Sequence, residues 1–268
     1  MLSTRKSLEE HITETYLQAY DTLNEEEDLS PKNPIINQTL THLVMTLSVP
    51  ADETISRKVL THPHIQKIRP QMLALLSEAE SAMECYYAMH FLNTARSIDD
   101  LTHFIYWNNY KSLIAKEFSI GREIVKPKRI TMIGSGPLPI TAILMAERWN
   151  IPVRCLDIDP FSHLLGKQLL SSLDCSAQLE HEQNDGAIAD YEHDDLTFIA
   201  SLVPDKEKII RRIAQSNADG AIAIRSAEGL HRLLYEPVDP LEYKVAGYNY
   251  INATKADSDS INTTIFIK

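Results

Sequence analysis

The residues most able to do chemistry begin at Ile130-Thr131-Met132-Ile133-Gly134-Ser135-Gly136-Pro137-Leu138-Pro139-Ile140. An apolar, β-branched run stops there on a Gly-Ser-Gly turn, and a helix-periodic run follows. Strand, tight turn and helix form the first unit of a nucleotide-binding sheet. Gly134 and Gly136 allow the backbone to turn tightly and approach a ligand. About twenty residues on, Asp157 closes a second apolar run, where an acid accepts hydrogen bonds from ribose hydroxyls and repels a 2′-phosphate. Asp185, just past a third predicted strand, is placed to bond an adenine amine. Asp159 precedes Pro160 and reads as a helix cap. Outside this loop, Glu78, Glu80 and Glu84 lie on one predicted helix. Glu80 and Glu84 share a face at i,i+4, and Glu78 points elsewhere. Taken alone, such a face is most simply a solvated acidic surface. Arg225 ends a predicted fifth strand, where a guanidinium clamps a substrate carboxylate or forms a salt bridge between domains. His231 alone on a short helix reads as packing or surface. His62-Pro63-His64 is a poor chelate without nearby acids, and no zinc or iron site is expected.

These groups need a scaffold to position them. Up to Gly121, the first glycine in the chain, helical periodicity dominates. It predicts helices over 7–23, 35–47, 52–60, 65–92 and 101–120, with Ser97, Asp99 and Asp100 starting the last and Gly121 ending it. An acidic, turn-rich loop spans 24–34. From Lys128 the texture alternates. Strands are predicted over 129–133, 153–157, 177–182, 196–201 and 221–225, and helices over 138–149, 161–173 and 206–215. Two more β-rich segments, 243–252 and 261–267, flank a polar turn over 255–260 and suggest a hairpin. The expected fold class is α/β: a helical N-terminal lid or substrate domain over 1–122, then a Rossmann-like sheet with a terminal hairpin over 123–268. Five parallel strands closed by a hairpin are the layout of S-adenosylmethionine (SAM) dependent methyltransferases rather than of NAD dehydrogenases.

The 268 residues are 44% hydrophobic and carry a formal net charge of −11. A core is affordable, and the charge disfavours nucleic acid and anionic membranes as partners. Cys85, Cys155 and Cys175 match neither a metal nor a disulfide spacing, and read as free thiols in a reducing compartment. The polar start shows no signal peptide, and no apolar run is long enough to span a bilayer. A cytoplasmic, soluble protein is expected.

Several segments together resemble the nicotianamine synthase family. They are Ile133 to Thr141; Ser77-Glu78-Ala79-Glu80 with Glu84; Phe104-Ile105-Tyr106-Trp107-Asn108-Asn109-Tyr110; Ala200-Ser201-Leu202-Val203 with Asp205-Lys206; and Ala223-Ile224-Arg225-Ser226-Ala227 with Leu234-Tyr235. Ile105 stands where the family has proline and Trp107 where it has tyrosine. Glu228 and His231 also differ from plant members. The resemblance implies transfer of the 3-amino-3-carboxypropyl (aminobutanoyl) arm of SAM to an amine, with release of 5′-methylthioadenosine. Plant members repeat the transfer and cyclise one end to make nicotianamine. Shorter bacterial relatives transfer once, to histidine, in synthesis of opine metallophores such as staphylopine and pseudopaline, and this chain looks most like them. The alternatives are nicotianamine synthase proper, a small-molecule methyltransferase, and a non-catalytic protein of the same fold that binds a metabolite or partner.

On this resemblance the site residues take roles. Glu80 is the general base and Tyr106 relays the proton or orients the donor arm. Gly134, Ser135, Gly136, Pro137, Leu138, Asp157, Asp185 and Tyr110 hold SAM. Glu84, Asn109, Arg225 and His231 contact the acceptor. SAM is the co-substrate, and no metal is required. The acceptor is histidine or another amino acid, and the product passes to an opine dehydrogenase. A homodimer is compatible with the sequence.

Overall fold

The computed structural model describes residues 6–173, 178–257 and 260–268. Cys175, the predicted start of the third strand at Ala177, the first five residues and part of the predicted turn at 255–260 lie outside them. By its internal contacts the chain divides into two compact units, one of 1–83 with 227–236 and one of 84–226 with 237–268. The sequence division at residue 122 follows the change in texture instead.

The smaller unit holds α1 (Leu8–Glu25), α2 (Pro34–Leu47), α3 (Glu53–Leu60), the first part of α4 (Pro63–Thr94) and a 3-10 turn, Gly229–Leu233. Each of the first three starts on a residue that satisfies orphan N–H groups: Ser7 in a capping box with Glu10, Asn33 and Asp52. Ile12, Tyr16, Leu43, Val59, Ile65 and Met72 are fully buried. The 227–236 segment is tied to the helices within this unit. Tyr16 donates to the Leu233 carbonyl at 3.2 Å. Arg69 donates to the Arg232 carbonyl at 3.0 Å and forks onto Glu236 at 3.2 and 2.9 Å.

The larger unit is built on β1 (Ile130–Ile133), β2 (Val153–Asp157), β3 (Leu179–Gln183), β4 (Leu196–Ile199), β5 (Ala221–Ser226), β6 (Tyr250–Ala253) and β7 (Thr263–Ile267). Their order is β3-β2-β1-β4-β5-β7-β6. The first five run parallel, and β7 pairs antiparallel with both β5 and β6. The expected α/β class, Rossmann-like sheet and terminal hairpin are therefore present. Every residue of β1, β2, β4 and β5 is buried, which is why these strands read as apolar runs. The unit also contains α5 (Trp107–Ile124), α6 (Ile140–Trp149), α7 (Pro160–Ser172), α8 (Lys206–Ser216) and α9 (Pro240–Lys244).

Several boundaries differ from the sequence reading, four of them for a local physical reason. The helix predicted over 101–120 is a 3-10 turn, Ile98–His103, followed by α5 from Trp107. Ser97 and Asp100 cap that turn reciprocally, and Phe104 breaks out extended. Gly121 does not end α5, which continues to Ile124. A Cβ there would lie 3.3 Å from Trp149 and 3.5 Å from Leu196 and Phe266, so close packing explains this glycine. α6 begins at Ile140 rather than Leu138, because Leu138 precedes Pro139 and is steered away from helical dihedrals. The β-rich segment predicted from Tyr243 begins as α9, with Asp239 and Glu242 forming a capping box around Pro240. β6 starts only at Tyr250.

Candidate active site

In the larger unit the strand ends gather the predicted ligand residues along one edge of the parallel sheet. Gly134 follows β1, Asp157 ends β2, Asp185 follows β3, Ala200 follows β4 and Arg225 lies near the end of β5. Gly134 and Gly136 have φ of 73° and 69°, the left-handed region that favours glycine. A Cβ on Gly134 would meet Val203 Cγ2 at 2.5 Å and Ala200 Cβ at 3.3 Å. A Cβ on Gly136 would collide with Oε2 of Glu84. The loop therefore lies close to the β4 exit at Gly134 and to Glu84 of α4 at Gly136. Lys206 fixes that exit by donating to the Ser201 and Val203 carbonyls at 2.9 and 2.7 Å. Pro137, Leu138 and Pro139 are buried and form the floor of the turn.

The loop amides point to β2. Gly134 and Ser135 N–H donate to the Leu156 carbonyl at 2.8 and 3.2 Å. Gly136 N–H donates to Asp157 Oδ2 at 2.8 Å, and Asp159 N–H to Asp157 Oδ1 at 3.0 Å. These bonds orient the Asp157 carboxylate and leave it lone pairs for two further donors. Burial raises its pKa, and the two amides oppose that shift. Asp159 is a cap, accepting from Ser162 N–H at 2.7 Å. Asp185 shapes its own loop, accepting from Ala187 N–H at 2.8 Å. The hydroxyl of Ser135 is buried with no hydrogen-bond partner in the protein. An orphaned donor beside two left-handed glycines and an oriented carboxylate fits a polar nucleoside.

Glu84 joins this cluster. Tyr110 donates to its Oε1 at 3.3 Å. Phe104 packs against both Tyr106 and Tyr110, with ring centroids 5.8 and 5.9 Å apart. Tyr106 stands at the N-cap of α5, and Asn109 is half-buried in its first turn. The structure therefore brings together Gly136, Asp157, Glu84 and Tyr110.

Arg225 forms a salt bridge, the second of the two possibilities the sequence offers, to a residue on the other side of the boundary expected at 122. It is 5% exposed and forks onto the fully buried Glu117, Nε at 3.0 Å and Nη2 at 3.2 Å, while Nη1 donates to Thr141 Oγ1 at 3.2 Å. Glu117 also accepts from Thr264 at 2.6 Å. This pair lies within the larger unit, so the guanidinium ties α5 and α6 to β5 instead of presenting an open fork. Glu117 escapes the sequence reading, although it was visible as an acid in an apolar stripe with Leu113, Ile114 and Gly121.

In the smaller unit Glu80 accepts from Tyr235 at 3.0 Å. Glu78 is exposed, as its helical phase predicts. His231 sits on the 227–236 segment with Nε2 buried and unbonded, and burial lowers its pKa. The sequence reading also missed two histidines beside the Asp157 end of the sheet. Nδ1 atoms of His163 and His181 are 3.1 Å apart, and burial holds His181 down at about 4, with His163 and Lys167 adding to it. Cys85 and Cys155 are free, and burial drives the Cys155 thiol up to about 12. Among the described residues no three metal-ligating side chains converge, and no helix is long and apolar enough to cross a membrane.

Comparison with known proteins follows the same lines. The family model described as nicotianamine synthase protein matches residues 5–268. A probable nicotianamine synthase 2 of Hordeum vulgare is 29% identical over 255 residues, covering 88% of this chain and 74% of the relative. A nicotianamine synthase of Solanum lycopersicum is 28% identical over 273 residues, covering 96% and 83%. Crystal structures of MtNAS share the fold. One of an MtNAS mutant superposes with a TM-score of 0.83 at 17% identity over 98% of both chains. Another, in complex with MTA and tNA, gives 0.82 at 18% over the same share.

Proposed function

This chain belongs to the nicotianamine synthase family, and we propose that it transfers the 3-amino-3-carboxypropyl arm of SAM to an amine, releasing 5′-methylthioadenosine. The observation that carries the donor assignment is the Gly134–Gly136 turn locked to Asp157, with the unbonded Ser135 hydroxyl beside it. A related MtNAS mutant has been crystallised with S-adenosylmethionine, in keeping with this reading. Asp157 takes the ribose hydroxyls, Asp185 the adenine amine, and Pro137 and Leu138 back the turn. Tyr110 and Asn109 steady the arm. The carboxylate of Glu84, against Gly136, balances positive charge on the donor or acceptor.

The sulfonium activates each carbon bonded to it, so orientation selects the one that reacts. An acceptor amine is mostly protonated at neutral pH and must lose a proton before it attacks. Glu80 takes that proton, and Tyr106 relays it or orients the arm. The new N–C bond forms as the C–S bond breaks, and sulfur leaves with the electron pair as a neutral thioether.

The similarity to nicotianamine synthases supports repeated transfer more than the single transfer to histidine expected from the sequence. One observation favours histidine as a second reading: the buried, unbonded Nε2 of His231 suits another imidazole. Under that reading the product passes to an opine dehydrogenase. In either case we place the enzyme in the cytoplasm.

Incubation with SAM and candidate amines, followed by chromatography, tests the proposal. 5′-Methylthioadenosine is the expected product, and S-adenosylhomocysteine would refute arm transfer. A product carrying several arms supports repeated transfer; a single adduct of histidine supports the second reading. Glu80→Gln is expected to bind SAM and to lose transfer down to a small residual rate.

A further inference from the structure

We infer that Tyr235 is a positioning residue that aims the Glu80 carboxylate at the acceptor amine, an inference that rests on the arm-transfer reading above. The phenol donates to Glu80 Oε2 at 3.0 Å across 155 residues of sequence. Both residues belong to the smaller unit. A glutamate side chain has three rotatable bonds, and its last torsion is broad and two-fold. A bond to one carboxylate oxygen fixes the plane and so the direction in which the other oxygen is presented.

The phenol can do this because its neighbours in the chain are held on both sides. Before it, Tyr16 grips the Leu233 carbonyl at 3.2 Å, and Arg69 the Arg232 carbonyl at 3.0 Å. After it, the Arg69 fork holds Glu236 at 3.2 and 2.9 Å. Tyr16 is itself fully buried. Tyr235 is thus presented from a braced segment. That bracing is what a side chain needs if it is to hold another within the tolerance of proton transfer. Tyr235 reaches Glu80 from a segment 155 residues further along the chain.

A double-mutant cycle on the full-length protein tests this. Tyr235→Phe keeps the ring and removes the donor. It is expected to lower kcat by about ten- to a hundredfold, with the KM for SAM and the melting temperature near wild type. In the Glu80→Gln background the same change is expected to cost nothing further in residual turnover, because the group it acts through is already gone. Equal losses in both backgrounds would overturn the inference, since Tyr235 would then act independently of Glu80. An unchanged kcat for Tyr235→Phe in the wild-type background would also overturn it. Wild-type turnover in Glu80→Gln is a different failure: it removes the base assignment itself.

Discussion

Replacing Arg225 with methionine separates two uses of a guanidinium at a strand end. In the structure it neutralises Glu117, which has no exposed surface. Without it the carboxylate keeps the Thr264 hydroxyl at 2.6 Å but loses the contacts at 3.0 and 3.2 Å. Breaking a buried pair by removing one partner costs about 3–5 kcal/mol, because an uncompensated charge stays inside. In a chain of this size each kcal/mol shifts the melting temperature by about 2–4 °C, so a fall of about 6–20 °C is expected. Scanning calorimetry without ligand at neutral pH reads it. The paired replacement Glu117→Leu with Arg225→Met removes both charges and is expected to recover most of the loss. A melting temperature within about 2 °C of wild type, together with a raised KM for the acceptor, would refute the reasoning. Arg225 would then be the carboxylate clamp, and its pairing with Glu117 incidental.

Gly136→Ala forces a left-handed residue to carry a Cβ, at about 1–2 kcal/mol, and drives that Cβ into Glu84. SAM affinity by titration calorimetry is expected to fall by about tenfold or more; an unchanged value would place the donor elsewhere. Asp157 has its pKa raised by burial, so SAM binding should weaken on acidification at a pH above the ordinary aspartate value of 3.8. Asp157→Asn should bind weakly with no such transition. For His181, the folded pKa of about 4 lies below the ordinary 6.5, so the unfolded chain binds more protons between those values. Stability is therefore expected to rise with pH through that window and to be lost as pH falls through it. Urea melts of His181→Gln should show a shallower dependence, and an unaltered slope would exclude His181 as its source.

Most of the larger unit was legible because its strands obey a local rule. Buried parallel strands read as apolar runs, and the β1 turn advertises itself through two glycines that need positive φ. Asp157 was legible for the same reason, being the first acid after an apolar strand. Boundaries failed where a few atoms decide. Pro139 delays α6, and a capping box at Asp239 makes a helix of a segment whose composition reads as strand. Gly121 misled because a glycine ends a helix and packs a helix equally well, and only the approach of Trp149 and Phe266 distinguishes the two.

The sequence by itself determined the α/β class, the glycine turn with Asp157 beside it, and the candidate acids on α4, since each depends on residue type and short-range spacing. Tertiary structure alone decided which partner each charged group meets. Glu117 with Arg225 and Tyr235 with Glu80 are separated by 108 and 155 residues, and no local pattern encodes a contact made across that length of chain. For Arg225 the difference is between a free fork and a buried tie. In the structure Glu117 is fully buried, and a carboxylate without solvent must keep its cation.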